Sequence, residues 1–128
     1  MHIVVRPAKG FLYSTKVHEF PVDIEIMTDV PVEITGPVDV TYAMLTKVED
    51  EDLSFGYGQR ITPGKRPSII LTPSMPLLIQ INVFEHDNDF SDFVPSEYRC
   101  EINVLVEVRN ETKNQMLDLR GSFVIDIP

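Results

Sequence analysis

The chain has no tryptophan and a single cysteine, and its acidic residues outnumber its basic residues by 20 to 11. Because Cys100 has no partner, an internal disulfide is excluded and the fold cannot depend on one. The formal charge of −9 repels phosphate backbones and anionic lipid. Nucleic acid is therefore disfavoured as a partner, and so is a membrane unless calcium intervenes.

Long hydrophobic runs are also missing. No segment is long enough to span a membrane, and the amino terminus lacks the charge order and apolar length of a signal peptide. We therefore expect a cytoplasmic protein, either soluble or assembled into a larger particle. A length of 128 residues predicts a single domain over 1–128 that needs no covalent crosslink to fold.

A helical period is absent as well, and short alternating segments separated by proline, glycine and acids take its place. The clearest are Leu77–Phe84 and Tyr98–Val108. In the second segment every other residue from Cys100 to Val108 is apolar, which predicts one face on a core and one in water. Gly121, in the last segment, is expected to mark a bulge. The pattern predicts an all-β, two-layer antiparallel β-sandwich of about eight strands, immunoglobulin-like or Greek-key/jelly-roll-like.

The apolar residues between Val32 and Val48 occupy even positions, from Ile34 through Tyr42 and Met44, although Gly36-Pro37 interrupts them. A two-residue hairpin there would mix a carboxylate into the apolar face. One long strand bent at Gly36 is favoured, and a three-residue loop with a bulge is the alternative.

Strand direction then predicts how the loops group. With one long strand and antiparallel neighbours, the turn at Asp29 and the loop 85–97 are expected at the same end of the sandwich. The acidic run Glu49–Asp52 is expected at the opposite end.

The loop between the two clearest segments is rich in carboxylates. Glu85, Asp87, Asp89 and Asp92 offer hard oxygen ligands at short spacing, the kind that calcium prefers. This loop, together with Thr28–Ile34, resembles the calcium loops of the calcium-and-lipid-binding sandwich domains of synaptotagmin and protein kinase C. The resemblance implies an eight-stranded sandwich and a calcium site made by both loops. The favoured interpretation is an acidic solvated loop with Phe90 and Phe93 tucked under it, and calcium binding is the alternative.

Aromatic side chains at this end offer a second candidate site. Phe90, Phe93 and Tyr98 are predicted as exposed anchors of a protein interface. Tyr98 precedes Cys100 by two residues, a spacing similar to that of immunoglobulin domains. With no second cysteine and no tryptophan, only the sandwich architecture carries over.

These observations favour a non-catalytic protein-binding, structural or assembly module that docks another protein or its own copies through loops or a sheet edge. No cofactor is expected. The alternative is calcium-dependent binding of lipid or protein by the acidic loop. A hydrolase using His86 is the third possibility, but no nucleophile-elbow motif accompanies that histidine.

Overall fold

A computed structural model describes residues 1–57, 69–84, 91–111 and 113–128. These residues form eight strands, and they contain no helix. In chain order the strands are β1 (His2–Pro7), β2 (Pro21–Met27), β3 (Val32–Lys47), β4 (Asp50–Tyr57), β5 (Ile69–Leu71), β6 (Leu77–Asn82), β7 (Ser96–Asn110) and β8 (Lys113–Ile127).

The strands form two antiparallel sheets that pack as a β-sandwich, which confirms the predicted fold class. The smaller sheet has the order β1-β2-β6, and the larger has the order β4-β3-β7-β8 with β5 also paired to β3. The two segments that flank the acidic loop, β6 and β7, therefore belong to different sheets.

The core lies between the sheets and follows the predicted two-residue period. In β7 the side chains of Cys100, Ile102, Val104, Val106 and Val108 are all buried. In β2 and β6 the alternating apolar residues are buried in the same way. Alternation predicts burial here because side chains on one face of a pleated strand share one environment.

Strand β3 is one continuous strand, as favoured from the sequence. Around Gly36 the strand advances four residues, from Ile34 to Val38, while β7 advances two, from Val108 to Val106. Because the number of extra residues is two, even-numbered residues face inward on both sides of Gly36, and Ile34 and Val38 are both buried.

A second irregularity makes the predicted parity wrong beyond Thr41. There β3 advances two residues, from Val40 to Tyr42, while β7 advances one. One extra residue reverses the faces, as in a β-bulge. Consequently Ala43 and Leu45 are buried, and Tyr42 and Met44, predicted to face inward, lie on the outer face.

The predicted grouping of the loops is also wrong. Both β4 and β5 pair antiparallel with β3, so they run in the same direction and the expected alternation of strand direction is broken. The turn after β3 lies beside the start of β7, where the amide of Val48 donates to the carbonyl of Glu97 at 2.9 Å. We call this the Tyr98 end. The turn at Asp29 follows β2. Because β2 and β6 are antiparallel, β2 ends beside the start of β6, whereas β6 ends beside the start of β2 and leads into the acidic loop. The turn at Asp29 therefore lies at the other end of the sandwich, the Asp29 end.

Strand β8 is straight where a bulge was expected. Its pairing with β7 continues without a shift from Asn110↔Lys113 to Ser96↔Ile127, through Gly121. Gly121 instead lies on the inner face against Val5 and Ile3 of β1. Phe123, Ile125 and Ile127 contact the core, as predicted.

Within the described ranges, no helix has the length and apolar character needed to cross a membrane.

Candidate functional site

The predicted calcium ligands fall mainly outside the described residues. Glu85, Asp87 and Asp89 lie there, as does His86, and Asp92 is exposed at the Tyr98 end. Among the residues that the structure describes, no three His, Cys, Asp or Glu side chains form a group that could hold a metal ion. Calcium binding by this loop stays a prediction.

The two-loop calcium site implied by the resemblance is contradicted. The turn at Asp29 lies at one end of the sandwich, and the described flanks of the acidic loop, Phe84 and Ser91, lie at the other. Thr28–Ile34 cannot supply ligands to an ion held at the Tyr98 end.

The predicted interface aromatics are part of the core. Phe93 is 5% exposed and Tyr98 is fully buried, so the expectation that they are exposed anchors is wrong; Phe90 lies outside the described residues. The ring of Phe93 packs against Phe84 with centroids 5.0 Å apart and against Tyr98 at 5.4 Å. Phe55 joins the same cluster. Burial of these rings leaves them out of reach of a partner.

Tyr98 also holds the segment that precedes β7 through hydrogen bonds to its backbone. Its hydroxyl donates to the carbonyl of Val94 at 2.6 Å and accepts from the amide of Val94 at 3.2 Å. Burial raises the pKa of Tyr98, although the bond to Val94 acts in the opposite direction. The hydroxyl of Tyr98 therefore forms hydrogen bonds with both backbone groups of Val94.

The outer edge of β8 is the longest sheet edge among the described strands. β8 has 15 residues, whereas β1 and β6 have 6 and β4 has 8. It pairs with β7 on one side, and among the described residues no strand pairs with its other side. A long regular edge without proline or a bulge presents a row of backbone donors and acceptors to another chain.

The inner face of β8 is only partly covered. Leu117, Leu119, Phe123 and Ile125 contact the core but are half-buried, whereas the inward side chains of β7 are buried. The strand that packs on this face is β1, the edge strand of the smaller sheet, with Val5 beside Gly121. The part of these four apolar side chains that stays exposed is therefore available for further burial.

The outer face of β8 carries an ordered arginine. The Nε of Arg120 donates to Oδ1 of Asn103 at 3.1 Å, and Nδ2 of Asn103 donates to the hydroxyl of Thr41 at 2.7 Å. Thr41, the extra residue in β3, therefore orients Asn103. Because this bond uses only Nε, the terminal nitrogens of the guanidinium can still donate to an acceptor.

A depression of about 540 Å³ adjoins Arg120 and opens to solvent. Ser122 forms its border on β8, and Tyr42 and Glu101 line it on the neighbouring strands. Burial and the charge of Glu101 raise the pKa of Tyr42, which stays a neutral hydroxyl at physiological pH. The depression can receive a side chain from a molecule that docks at β8.

Charged and apolar side chains share this outer face. Asp118 and Arg120 are neighbours on it, between Met116 and Val124, which are 49% and 56% exposed. We call the stretch from Met116 to Val124 the β8 edge. Opposite charges two residues apart give the edge a direction, which a uniformly apolar strand lacks.

A second apolar surface lies at the Asp29 end. Val30, Ile70, Met75 and Leu78 are each more than 60% exposed, and they belong to turns and strand ends at that end. Apolar side chains alone do not select one occupant. The β8 edge is the better specified of the two surfaces.

Sequence reasoning missed the β8 edge because it took Gly121 for a bulge. The signal was present in the regular alternation of 115–127, with no proline. Which strand stands at the border of a sheet depends on long-range pairing, however, and alternation within one strand does not report it.

The comparisons with known proteins found no family model, no curated protein and no solved structure that matches the chain.

Proposed function

We propose that this chain is a non-catalytic β-sandwich module that docks a protein partner, or joins a larger assembly, along the β8 edge. The observation that carries the proposal is the 15-residue ladder of β8, which pairs without interruption on one side only among the described residues. Strand addition to such an edge supplies backbone hydrogen bonds for affinity and alternate side chains for specificity.

The chemistry of the lone thiol supports a non-catalytic role. Cys100 is buried inside the sandwich, and burial raises the pKa of its thiol to about 12. A thiol serves as a nucleophile through its thiolate, so Cys100 is a packing residue.

Photochemical crosslinking in the cells that produce the protein tests this function. A photoreactive phenylalanine analogue is placed at position 118 on the β8 edge, and in a second variant at position 52. Asp52 is the matched control because it is an exposed acid on β4, the opposite edge of the same sheet. We expect protein adducts from position 118 and none from position 52. Absence of adducts at 118, or equal adducts at both positions, contradicts docking at the β8 edge.

A further inference from the structure

The arrangement of charges on β8 allows the partner to be named, an inference that rests on the proposed function. We propose that the partner is a second copy of this chain, and that two β8 strands pair antiparallel about a two-fold axis at Leu119. The two larger sheets then join into one continuous sheet.

Symmetry restricts the possible registers. When the joined sheet keeps both inner faces on the same side, inward residues must lie opposite inward residues and outward opposite outward. Each allowed register therefore has one residue of β8 opposite its own copy. The choice of that central residue decides every other pair.

Charge favours Leu119 over the two adjacent centres. With Leu119 opposite itself, Asp118 of each copy lies opposite Arg120 of the other, and two attractive pairs form across the interface. A shift of the centre to position 118 places Asp118 opposite Asp118, and a shift to position 120 places Arg120 opposite Arg120. Slippage in either direction thus replaces two unlike pairs by a like pair.

Apolar contacts agree with the same register. Leu119, half-buried in one copy, meets Leu119 of the second copy on the inner face, where β8 is incompletely covered. On the outer face Met116 lies opposite Ser122 of the second copy, at the border of the depression beside Arg120. The exposed methionine, a flexible side chain, is suited to fill such a space.

The net charge of −9 on each copy opposes association over long distances. At physiological ionic strength this repulsion is screened beyond about 8 Å. The two pairs of Asp118 with Arg120 act at contact and are screened much less. Local complementarity can therefore operate between two acidic molecules.

Sedimentation equilibrium of the purified chain tests the pairing. The wild-type protein is expected to dimerise reversibly with concentration. Asp118→Arg and Arg120→Asp each place like charges opposite each other twice, and each should raise the dimer dissociation constant roughly tenfold or more. The double variant Asp118→Arg/Arg120→Asp restores unlike pairs and should recover the dimer.

Two controls separate the interface from stability and from net charge. Asp52→Arg makes the same charge change on β4, the opposite edge of the sheet, and should leave the dissociation constant unchanged. Thermal unfolding of each variant at a concentration where the wild type is monomeric shows whether the monomer itself is intact. Loss of dimer in both single variants and in the double variant, with monomers intact, contradicts the pairing.

Oxidative crosslinking tests the register. In a Cys100→Ala background, Leu119→Cys should form a disulfide-linked dimer, because residue 119 faces its own copy. Val124→Cys is the control, since its own copy lies far along the strand. Crosslinking at 124, or at neither position, overturns the Leu119-centred register.

The inference and the proposed function can fail separately. A wild-type protein that remains monomeric at every concentration overturns self-pairing. If position 118 then still yields adducts with a different protein in cells, docking at the β8 edge stands with another partner. If position 118 yields none, both are overturned.

Discussion

Gly121 on β8 lies directly against Val5 on β1: a β-carbon added to Gly121 would be 2.6 Å from Cγ2 of Val5. Real β-carbons do not approach that closely. The opposite sheet, and not the backbone conformation, therefore requires glycine here.

Replacing Gly121 by alanine should destabilise the protein by about 1–3 kcal/mol, because the sheets must separate or Val5 must shift. Val5 is β-branched and moves with difficulty. Urea unfolding measures the change in the free energy of unfolding.

Val5→Ala provides the double-mutant control. Alone it should cost about 2 kcal/mol by removing buried methyl groups. Combined with Gly121→Ala it should cost less than the sum of the two, since the space it opens receives the new methyl group. Strict additivity would show that the close contact is not the cause.

Tyr98→Phe should lower the free energy of unfolding by about 1–2 kcal/mol. The ring stays in the aromatic cluster, but both backbone groups of Val94 lose the hydroxyl as partner. Tyr42→Phe is the matched control: it borders an open depression, so a change within about 0.5 kcal/mol is expected. Equal effects of the two variants in urea unfolding would contradict the role of the Val94 bonds.

Cys100 should resist thiol reagents until the protein unfolds. Burial raises its pKa from 9.0 to about 12, and the reactive thiolate is therefore scarce in the folded protein. Labelling at pH 8 in increasing urea should follow the unfolding transition. Rapid labelling in the absence of urea would show that the strand opens locally.

The same raised pKa predicts a dependence of stability on pH. Between about pH 9 and 12 the unfolded chain loses the Cys100 proton while the folded protein retains it, so the free energy of unfolding falls as pH rises. Below pH 9 the contribution is fully present. Wild-type protein should lose more stability over this range than Cys100→Ala. Burial also raises the pKa of Tyr13 and Tyr98 in both proteins, so the difference reports the thiol together with its coulombic effect on Tyr13.

The calcium alternative gives a separate expectation. If Glu85, Asp87, Asp89 and Asp92 bind calcium, a calcium concentration a hundred times the dissociation constant adds about 2.7 kcal/mol to the free energy of unfolding. Thermal unfolding in calcium against chelator measures this, and Asp87→Asn should abolish the shift. Asp29→Asn, at the opposite end of the sandwich, should leave it unchanged. No shift at millimolar calcium removes the alternative.

How far the sequence predicts this fold depends on where each decision is made. Burial along β7 follows from alternation alone, because Cys100 to Val108 form an uninterrupted ladder. The grouping of loops was wrong because β4 and β5 share β3 as a neighbour, which is a long-range fact. The burial of Phe93 and Tyr98 likewise depends on rings brought from other strands. The local sequence pattern alone therefore could not predict the candidate sites at strand ends.

Thr41 shows how much one inserted residue can govern. Ahead of it β3 sends even-numbered side chains to the interior, and after it the odd-numbered ones. If β3 instead kept Thr41 and paired in regular register with no bulge, the phenol of Tyr42 and the thioether of Met44 would lie inside and Leu45 would face water. One added backbone residue therefore decides which side chains in the second half of β3 face solvent and which face the core.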